Sequence, residues 1–412
     1  MTSQRLLIVG GSYAALQMAS SAREFGFAGE ITMISNEDHP PYQRPPLSKS
    51  YLSGKLDAAG LPLVGDSFYR DKQIDLHLRK EVVAINPKRR EVQYSNGLSE
   101  PYDWLALCTG ARPRRLSIPG ETLPNVHYLR TLTDAKKLKK KLIDSTRICV
   151  IGGGFIGLEV ASVCRQLGLE VTVLEASSGI LRRALPHALG MFLMARHKQE
   201  GVSIRLNCSA KEIKVNLDGT MSVIINNGEP IDCDQVVIGV GAEPNQQLAE
   251  AAGLRCARGI VTDGLGNTSV ERIVAAGDCA AFPNPFAADP EQPLLLESIQ
   301  ATRDLARAAA SLVVGKPEPY KAVPWFWSDQ HDFKLQIAGL YRGSEKFVIR
   351  GDVRAQKFSL FGMHQSRIVS AFSINSPADH MVARKLIEEK ISIEVTHLED
   401  TDVKLKSFLR KE

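Results

Sequence analysis

The chain has 412 residues, 44% of them hydrophobic and 24% charged, which is enough for two or three packed domains and typical of a globular protein. Lys and Arg outnumber Asp and Glu by 51 to 46; the resulting +5 is spread along the chain and suits an acidic protein partner as well as nucleic acid, so it does not by itself argue for a nucleic-acid binder. No apolar run approaches a membrane span, and residues 1–5 lead straight into an apolar strand without the regions of a signal peptide; the expected location is the cytoplasm, with no membrane or nucleic-acid partner.

Residues 5–9 (Arg-Leu-Leu-Ile-Val) read as a buried strand and run into a tight turn at Gly10, Gly11 and Ser12. A helix with small residues on one face follows, ends near Gly26, and gives way to a second strand at 31–34. Strand, turn, helix and strand make a βαβ nucleotide unit, although Gly10, Ser12 and Ala15 only approximate the G-x-G-x-x-G fingerprint. Asn36 and Glu37 follow the second strand, and either could hydrogen-bond an adenosine ribose. Next comes the rigid stretch 41–49 (Pro-Tyr-Gln-Arg-Pro-Pro-Leu-Ser-Lys), whose Pro-Pro-Leu-Ser sequence caps and positions Lys49. Residues 105–114 (Leu-Ala-Leu-Cys-Thr-Gly-Ala-Arg-Pro-Arg) close this first unit. The lysine run at 136–141 is expected to be a solvated helix face.

The same pattern then returns. Residues 147–157 (Arg-Ile-Cys-Val-Ile-Gly-Gly-Gly-Phe-Ile-Gly) repeat residues 5–15, and here the fingerprint is complete at Gly152, Gly154 and Gly157. Its first glycine makes the turn, its second lets a pyrophosphate approach the backbone, and its third allows close helix–strand packing. The phosphates would sit on the free N–H groups that open the helix. Glu175 stands at a strand end 18 residues beyond Gly157, where a ribose hydroxyl is recognised. Residues 237–245 (Val-Ile-Gly-Val-Gly-Ala-Glu-Pro-Asn) and 273–278 (Ile-Val-Ala-Ala-Gly-Asp) follow, so the second unit is inserted within the first and the chain returns to complete the outer one. A helix is expected after Ser298, then a Trp-Phe-Trp run at 325–327 and a β-rich segment ending in a helix at 378–390.

Seven cysteines, none in a C-x-x-C, sit mostly in apolar contexts and there read as small buried hydrophobes, with no close pair for a dithiol relay; no metal site is expected.

These motifs together resemble the FAD-dependent pyridine-nucleotide reductases of glutathione-reductase type. Three stretches, 41–49, 153–160 (Gly-Gly-Phe-Ile-Gly-Leu-Glu-Val) and 324–330 (Pro-Trp-Phe-Trp-Ser-Asp-Gln), narrow the resemblance to the ferredoxin reductases that serve bacterial Rieske-type oxygenases and haem-thiolate monooxygenases, enzymes of aromatic-hydrocarbon catabolism among them. The resemblance implies an α/β fold with two Rossmann-like domains and a C-terminal α+β domain. It places FAD in the discontinuous outer domain (1–110 and 247–325), NADH in the inner domain (111–246), and an interface domain at 326–412.

It also implies site residues. On the flavin side these are Gly10, Ser12, Ala14, Ala15, Asn36, Glu37, Arg44, Lys49, Val82, Thr109, Gly110, Arg130, Gly277, Asp278, Ser298, Ile299 and Trp327. On the nicotinamide side they are Gly152, Gly154, Ile156, Gly157, Glu159, Glu175 and Gly241. Lys49, Glu159 and Trp327 are the catalytic candidates, with Lys49 beside the flavin near Glu159 and Trp327 at the flavin edge. The implied reaction passes a hydride from NADH to FAD and then single electrons to an acidic, transiently bound two-iron two-sulfur ferredoxin. Arg303 and Arg307, four residues apart, would share a helix face and steer that partner. An NADH oxidase, peroxidase or disulfide reductase on the same scaffold is weakened by the absence of any cysteine before Cys108; a rubredoxin-reductase-like flavoprotein is a further alternative. A role like that of the apoptosis-inducing flavoproteins would call for a strongly basic surface or a targeting segment, and neither is visible.

Overall fold

A computed structural model describes residues 4–409; residues 1–3, which lead into the first strand, and the last three residues of the expected C-terminal domain lie outside the described residues. Two five-stranded, all-parallel sheets dominate the fold. In the first, the strands run in the order Ile74–His77, Glu30–Ile34, Arg5–Val9, Trp104–Leu107 and Ile273–Ala275. In the second, the order is Val202–Arg205, Glu170–Leu174, Arg147–Ile151, Gln235–Ile238 and Val126–Tyr128.

The duplication extends to register and to single hydrogen bonds. Arg5 pairs with Glu30 as Arg147 pairs with Glu170. Gly10 N donates to the Ile34 carbonyl and Gly152 N to the Leu174 carbonyl, each at 2.8 Å. Gly10 and Gly152 take φ values of 141° and 115°, a conformation that side chains rarely adopt, and a Cβ on either would run into a carbonyl of the neighbouring strand end. The helices that follow, Tyr13–Glu24 and Phe155–Gln166, have twelve residues each and end at left-handed Gly26 and Gly168. Each unit also carries a three-stranded antiparallel meander, Val82–Pro101 between Ile74–His77 and Trp104–Leu107 in one and Ala210–Cys233 between Val202–Arg205 and Gln235–Ile238 in the other.

The copies differ in their fifth strand. The second sheet takes Val126–Tyr128 from the chain just before it, whereas the first takes Ile273–Ala275 from beyond the whole second unit. Two short antiparallel strands, Ala111–Pro113 and Ala242–Pro244, carry the chain out and back. The helix Ile299–Val313 then packs on Tyr13–Glu24 through alanines, with Ala15, Ala19, Ala306 and Ala309 fully buried in one core. Small side chains on both helices permit that close approach.

The C-terminal sheet is antiparallel, in the order Trp325–Gln330, Phe333–Gly339, Arg367–Ile374, Lys357–His364 and Lys346–Asp352. Its helix spans Pro377–Glu388, beginning one residue before the expected start, because proline at the first position has no N–H to lose. The fold is therefore α/β, two Rossmann-like units with an appended α+β domain.

Candidate functional site

The two fingerprint helices begin with unclaimed N–H groups. Ser12 and Gly154, which precede the fingerprint helices, are extended and offer no side-chain cap, and neither first turn contains an acid. By contrast, Thr131 and Asp134 form a reciprocal capping box at Leu132–Leu142, and Ser298 accepts from Ala301 N at 3.1 Å. Free N–H groups at the positive end of a helix dipole suit an anion, and each set lies at the end of the central strand of its sheet. The chain thus presents two cradles fitted to dinucleotide pyrophosphates.

Around the first cradle, Arg44 is the hub. Its guanidinium pairs with the Glu37 carboxylate, donates to Ser12 Oγ at 3.2 Å and reaches the Arg130 carbonyl at 3.0 Å. Burial works against its charge, but Tyr42 and Glu37 outweigh that and hold its pKa above the usual arginine value. Tyr42 donates to Glu37 and accepts from Leu132 N, which fixes the loop 41–49 against the start of the next helix. Glu37 is therefore committed to Arg44 and Tyr42, while Asn36 is exposed. The strand registers show that neither is the structural counterpart of Glu175: that position is Ser35, and the acid of the first copy stands two residues later. Lys80 N donates to the Ser35 carbonyl, which brings Val82 to the same strand end.

Opposite lie Thr109, Gly110, Gly277 and Asp278. Asp278 pairs with Arg130 at 2.9 Å. A Cβ on Gly277 would stand 3.0 Å from that of Ala14 and 3.6 Å from Thr302 Cγ2, so this strand end faces both the fingerprint helix and the closing helix. Thr109 and Asn245 exchange hydrogen bonds of 2.7 and 2.8 Å, joining the outgoing and returning strands.

In the second unit, Glu175 accepts from Gly153 N and Ser177 N, each at 2.8 Å, and from Ser177 Oγ at 2.7 Å, tying the strand end to the fingerprint turn. Ile156 projects into solvent at the helix start. Gly241 lines a cleft of about 330 Å³ with Arg114, Arg183 and Arg258, and a Cβ there would lie 3.2 Å from the Arg183 guanidinium.

The two units meet at Glu159. It is 2% exposed, on the second fingerprint helix, and its carboxylate is fully engaged: Lys49 Nζ lies 2.8 Å from Oε1, Ser328 Oγ donates to Oε1 at 2.6 Å, and Ser48 Oγ donates to Oε2 at 2.5 Å. Two segments distant in sequence thus converge on one acid. Sequence reading brought forward Lys49 and Glu159 but gave no role to Ser48, Ser328 or Tyr42; their only signal was adjacency to residues already singled out. Beside Ser328, the half-buried Trp327 ring is 5.6 Å from Trp325, and Phe326 packs on Phe155 at 4.7 Å.

Two expectations change. Arg303 and Arg307 share a helix face, but that face meets the helix Tyr13–Glu24: Arg303 donates to Gln17 at 2.8 Å, and Arg307 pairs with Glu24 at 2.8 Å over the Phe25 ring. Both keep exposed surface. The cysteines are all free, but they are not isolated from one another: folding brings Cys108 near Cys279, and Cys149 near Cys233 and Cys208. Burial pushes the Cys108 and Cys149 thiols well above their usual range, so they are inert rather than poised for exchange.

Residues 4–310 match the family model described as pyridine nucleotide-disulphide oxidoreductase, and residues 325–409 match the one described as reductase C-terminal. The chain belongs to the pyridine nucleotide-disulphide oxidoreductases; it is an oxidoreductase that works with FAD and NAD(H). Among its relatives, rhodocoxin reductase of Rhodococcus erythropolis is 40% identical over 97% of this chain and 93% of its own. A ferredoxin reductase structure from Rhodopseudomonas palustris superposes with a TM-score of 0.94 at 37% identity, covering 98% of this chain and 99% of that one. The putidaredoxin reductase in a covalent complex with putidaredoxin gives 0.95 at 33% identity, covering 99% and 98%. Among the described residues, no helix is long and apolar enough to cross a membrane.

Proposed function

We propose that this chain is an NADH-dependent ferredoxin reductase, acting in the cytoplasm and supplying electrons to a Rieske-type oxygenase or a haem-thiolate monooxygenase through a two-iron two-sulfur ferredoxin. FAD, when bound, accepts a hydride from NADH and releases the two electrons singly. Residues 1–110 and 247–325 form its domain, 111–246 the NADH domain and 326–412 the interface domain. Arg44, Arg130, Asp278 and the free N–H groups after Ser12 hold FAD. Glu175 and the N–H groups after Gly154 hold NADH.

One observation carries this reading: the buried Glu159–Lys49 pair stands where the inner fingerprint helix meets the Pro-Pro-Leu-Ser segment of the outer unit. A cation held there by a buried carboxylate favours negative charge developing on a neighbouring acceptor. Arg44 and Arg130 orient the outer nucleotide, and Trp327 flanks the junction from the third domain. Near-full coverage by reductases that partner small redox proteins supports the choice of acceptor.

The test is acceptor specificity with purified, FAD-loaded protein. NADH should reduce an acidic two-iron two-sulfur ferredoxin in many turnovers, with little activity toward oxygen, peroxide or disulfides. Turnover confined to those last three acceptors would remove the reading.

A further inference from the structure

A chain of side-chain hydrogen bonds runs into Glu159 along the edge strand Trp325–Gln330 of the C-terminal sheet. His331 Nε2 lies 3.0 Å from His197 Nδ1, His197 Nε2 lies 2.8 Å from Gln330 Oε1, Gln330 Nε2 lies 3.0 Å from Ser328 Oγ, and Ser328 Oγ lies 2.6 Å from Glu159 Oε1. His197, Gln330, Ser328 and Glu159 are all at most 2% exposed, so water offers none of them an alternative partner.

The carboxylate sets the sense of every link. An ionised carboxylate only accepts, so Ser328 must spend its single proton on Glu159. Ser328 Oγ must then accept from the Gln330 amide nitrogen, which turns the amide oxygen toward His197. That oxygen requires His197 to carry its proton on Nε2, which leaves Nδ1 to accept from His331 Nε2–H. The reverse sense, with the amide flipped, both imidazoles in the other tautomer and the Ser328 proton turned to the amide oxygen, would leave Ser328 Oγ and Glu159 Oε1 2.6 Å apart with no proton between them.

The relay is also anchored to the helix that carries Glu159. Ser162, three residues on and on the same helical face, accepts the backbone N–H of His331. The charged groups facing the imidazole pair are Arg196 and Glu200 beside His197, and Arg165, Arg196 and Asp332 beside His331; the Phe333 ring covers His197 at 6.5 Å. Burial lowers both imidazole pKa values to about 4, in keeping with two neutral rings.

We propose that His331, His197 and Gln330 are positioning residues, forming a one-way relay that commits the Ser328 hydroxyl to Glu159 and so holds the Glu159–Lys49 pair in register. An amide in the path cannot pass a proton on, so the relay conveys orientation and polarisation, each donor strengthening the next. The proposal rests on the reading that the pair lies where NADH meets the flavin.

Two measurements test it. The first is histidine-selective nitrogen NMR on the FAD-loaded wild type, in which His197 and His331 should both be neutral Nε2–H tautomers from pH ~6 to ~8. A His197 protonated on Nδ1 would overturn the relay whatever the enzyme's acceptor proves to be. The second compares His197→Phe with His197→Gln, whose amide can both donate and accept. At equal FAD content and saturating NADH, His197→Phe should reduce its flavin about fivefold more slowly, the effect of one lost orienting hydrogen bond, while His197→Gln stays within about twofold of wild type. The dissociation constant for NADH should move less than about twofold in either, since neither removes a group that contacts the nucleotide. Equal rates for the two variants would show that His197 only fills space and would also overturn the relay. If His197→Phe does not fold, Gln330→Leu replaces it, with the same expected slowing. A correct tautomer in a protein whose Lys49→Ala variant reduces flavin normally would refute the site reading and leave the relay's geometry standing.

Discussion

Replacing Lys49 with Met keeps the length and apolar stem of the side chain but removes the one cation among the described residues that contacts Glu159. The acid is 2% exposed and Lys49 18% exposed, so solvent cannot take over the lost pairing. Breaking a buried pair on one side costs about 3–5 kcal/mol. The hydroxyls of Ser48 and Ser328 still donate to the carboxylate, so the expected loss is about 3 kcal/mol, at the low end. Glu159→Gln removes the charge and should cost less, about 1–2 kcal/mol, since the amide keeps an acceptor oxygen. In the double variant no buried charge remains unpaired, and about 2 kcal/mol of the summed loss should return as coupling. Denaturant unfolding of the four proteins, each loaded with FAD, measures this cycle. Stopped-flow mixing with NADH should show Lys49→Met slowing flavin reduction far more than it weakens NADH binding. Additive single-site losses, within about 0.5 kcal/mol, would refute the inference that Glu159 and Lys49 form an energetically coupled buried pair.

The remaining expectations follow from other parts of the site. Glu175 should make the enzyme prefer NADH, because a carboxylate repels a 2′-phosphate; Glu175→Ala should narrow the ratio of specificity constants, and equal constants in the wild type would contradict the assignment. Anaerobic titration should fully reduce the protein with one NADH per FAD, because the neighbouring Cys108 and Cys279 are free, buried thiols; an uptake of two would expose a redox disulfide. Burial lowers His197 and His380 to about 4 from 6.5, so the unfolded chain binds more protons than the native one between those values. The stability these neutral imidazoles contribute is complete above pH 6.5 and is lost as pH falls toward 4, by up to about 3 kcal/mol for each. Thermal midpoints should decline across that window, and His380→Phe, which removes two ring nitrogens that find no partner among the described residues, should flatten the decline; a flat wild-type profile would count against it. Arg307→Glu should raise the Michaelis constant for an acidic ferredoxin several-fold, an effect of about 1 kcal/mol that shrinks with salt, while ferricyanide reduction is unchanged. Equal loss of both activities would instead mark the Arg307–Glu24 contact as structural.

The duplicated nucleotide unit was legible in the amino-acid order because everything that makes it is local. A strand of apolar residues, a glycine turn, a helix with one small-residue face and a closing glycine are set by neighbouring dihedrals and by side-chain periodicity, so residues 5–15 and 147–157 reproduce each other down to the register of Arg5 on Glu30 and Arg147 on Glu170. The insertion of one unit in the other could be read for the same reason, from the order of recognisable strand ends. The partners of Glu159 could not. Ser48 and Ser328 lie 111 and 169 residues away from it, and no spacing rule relates them. Three domains had to pack before their hydroxyls could find one carboxylate. Packing also turned the Arg303 and Arg307 face onto the first fingerprint helix, brought Cys108 beside Cys279, and showed Ser35 to be the counterpart of Glu175. Local torsions and hydrophobic periodicity determine elements. Which polar groups face each other across those elements depends on how the buried surfaces fit, and here that was decided only in three dimensions.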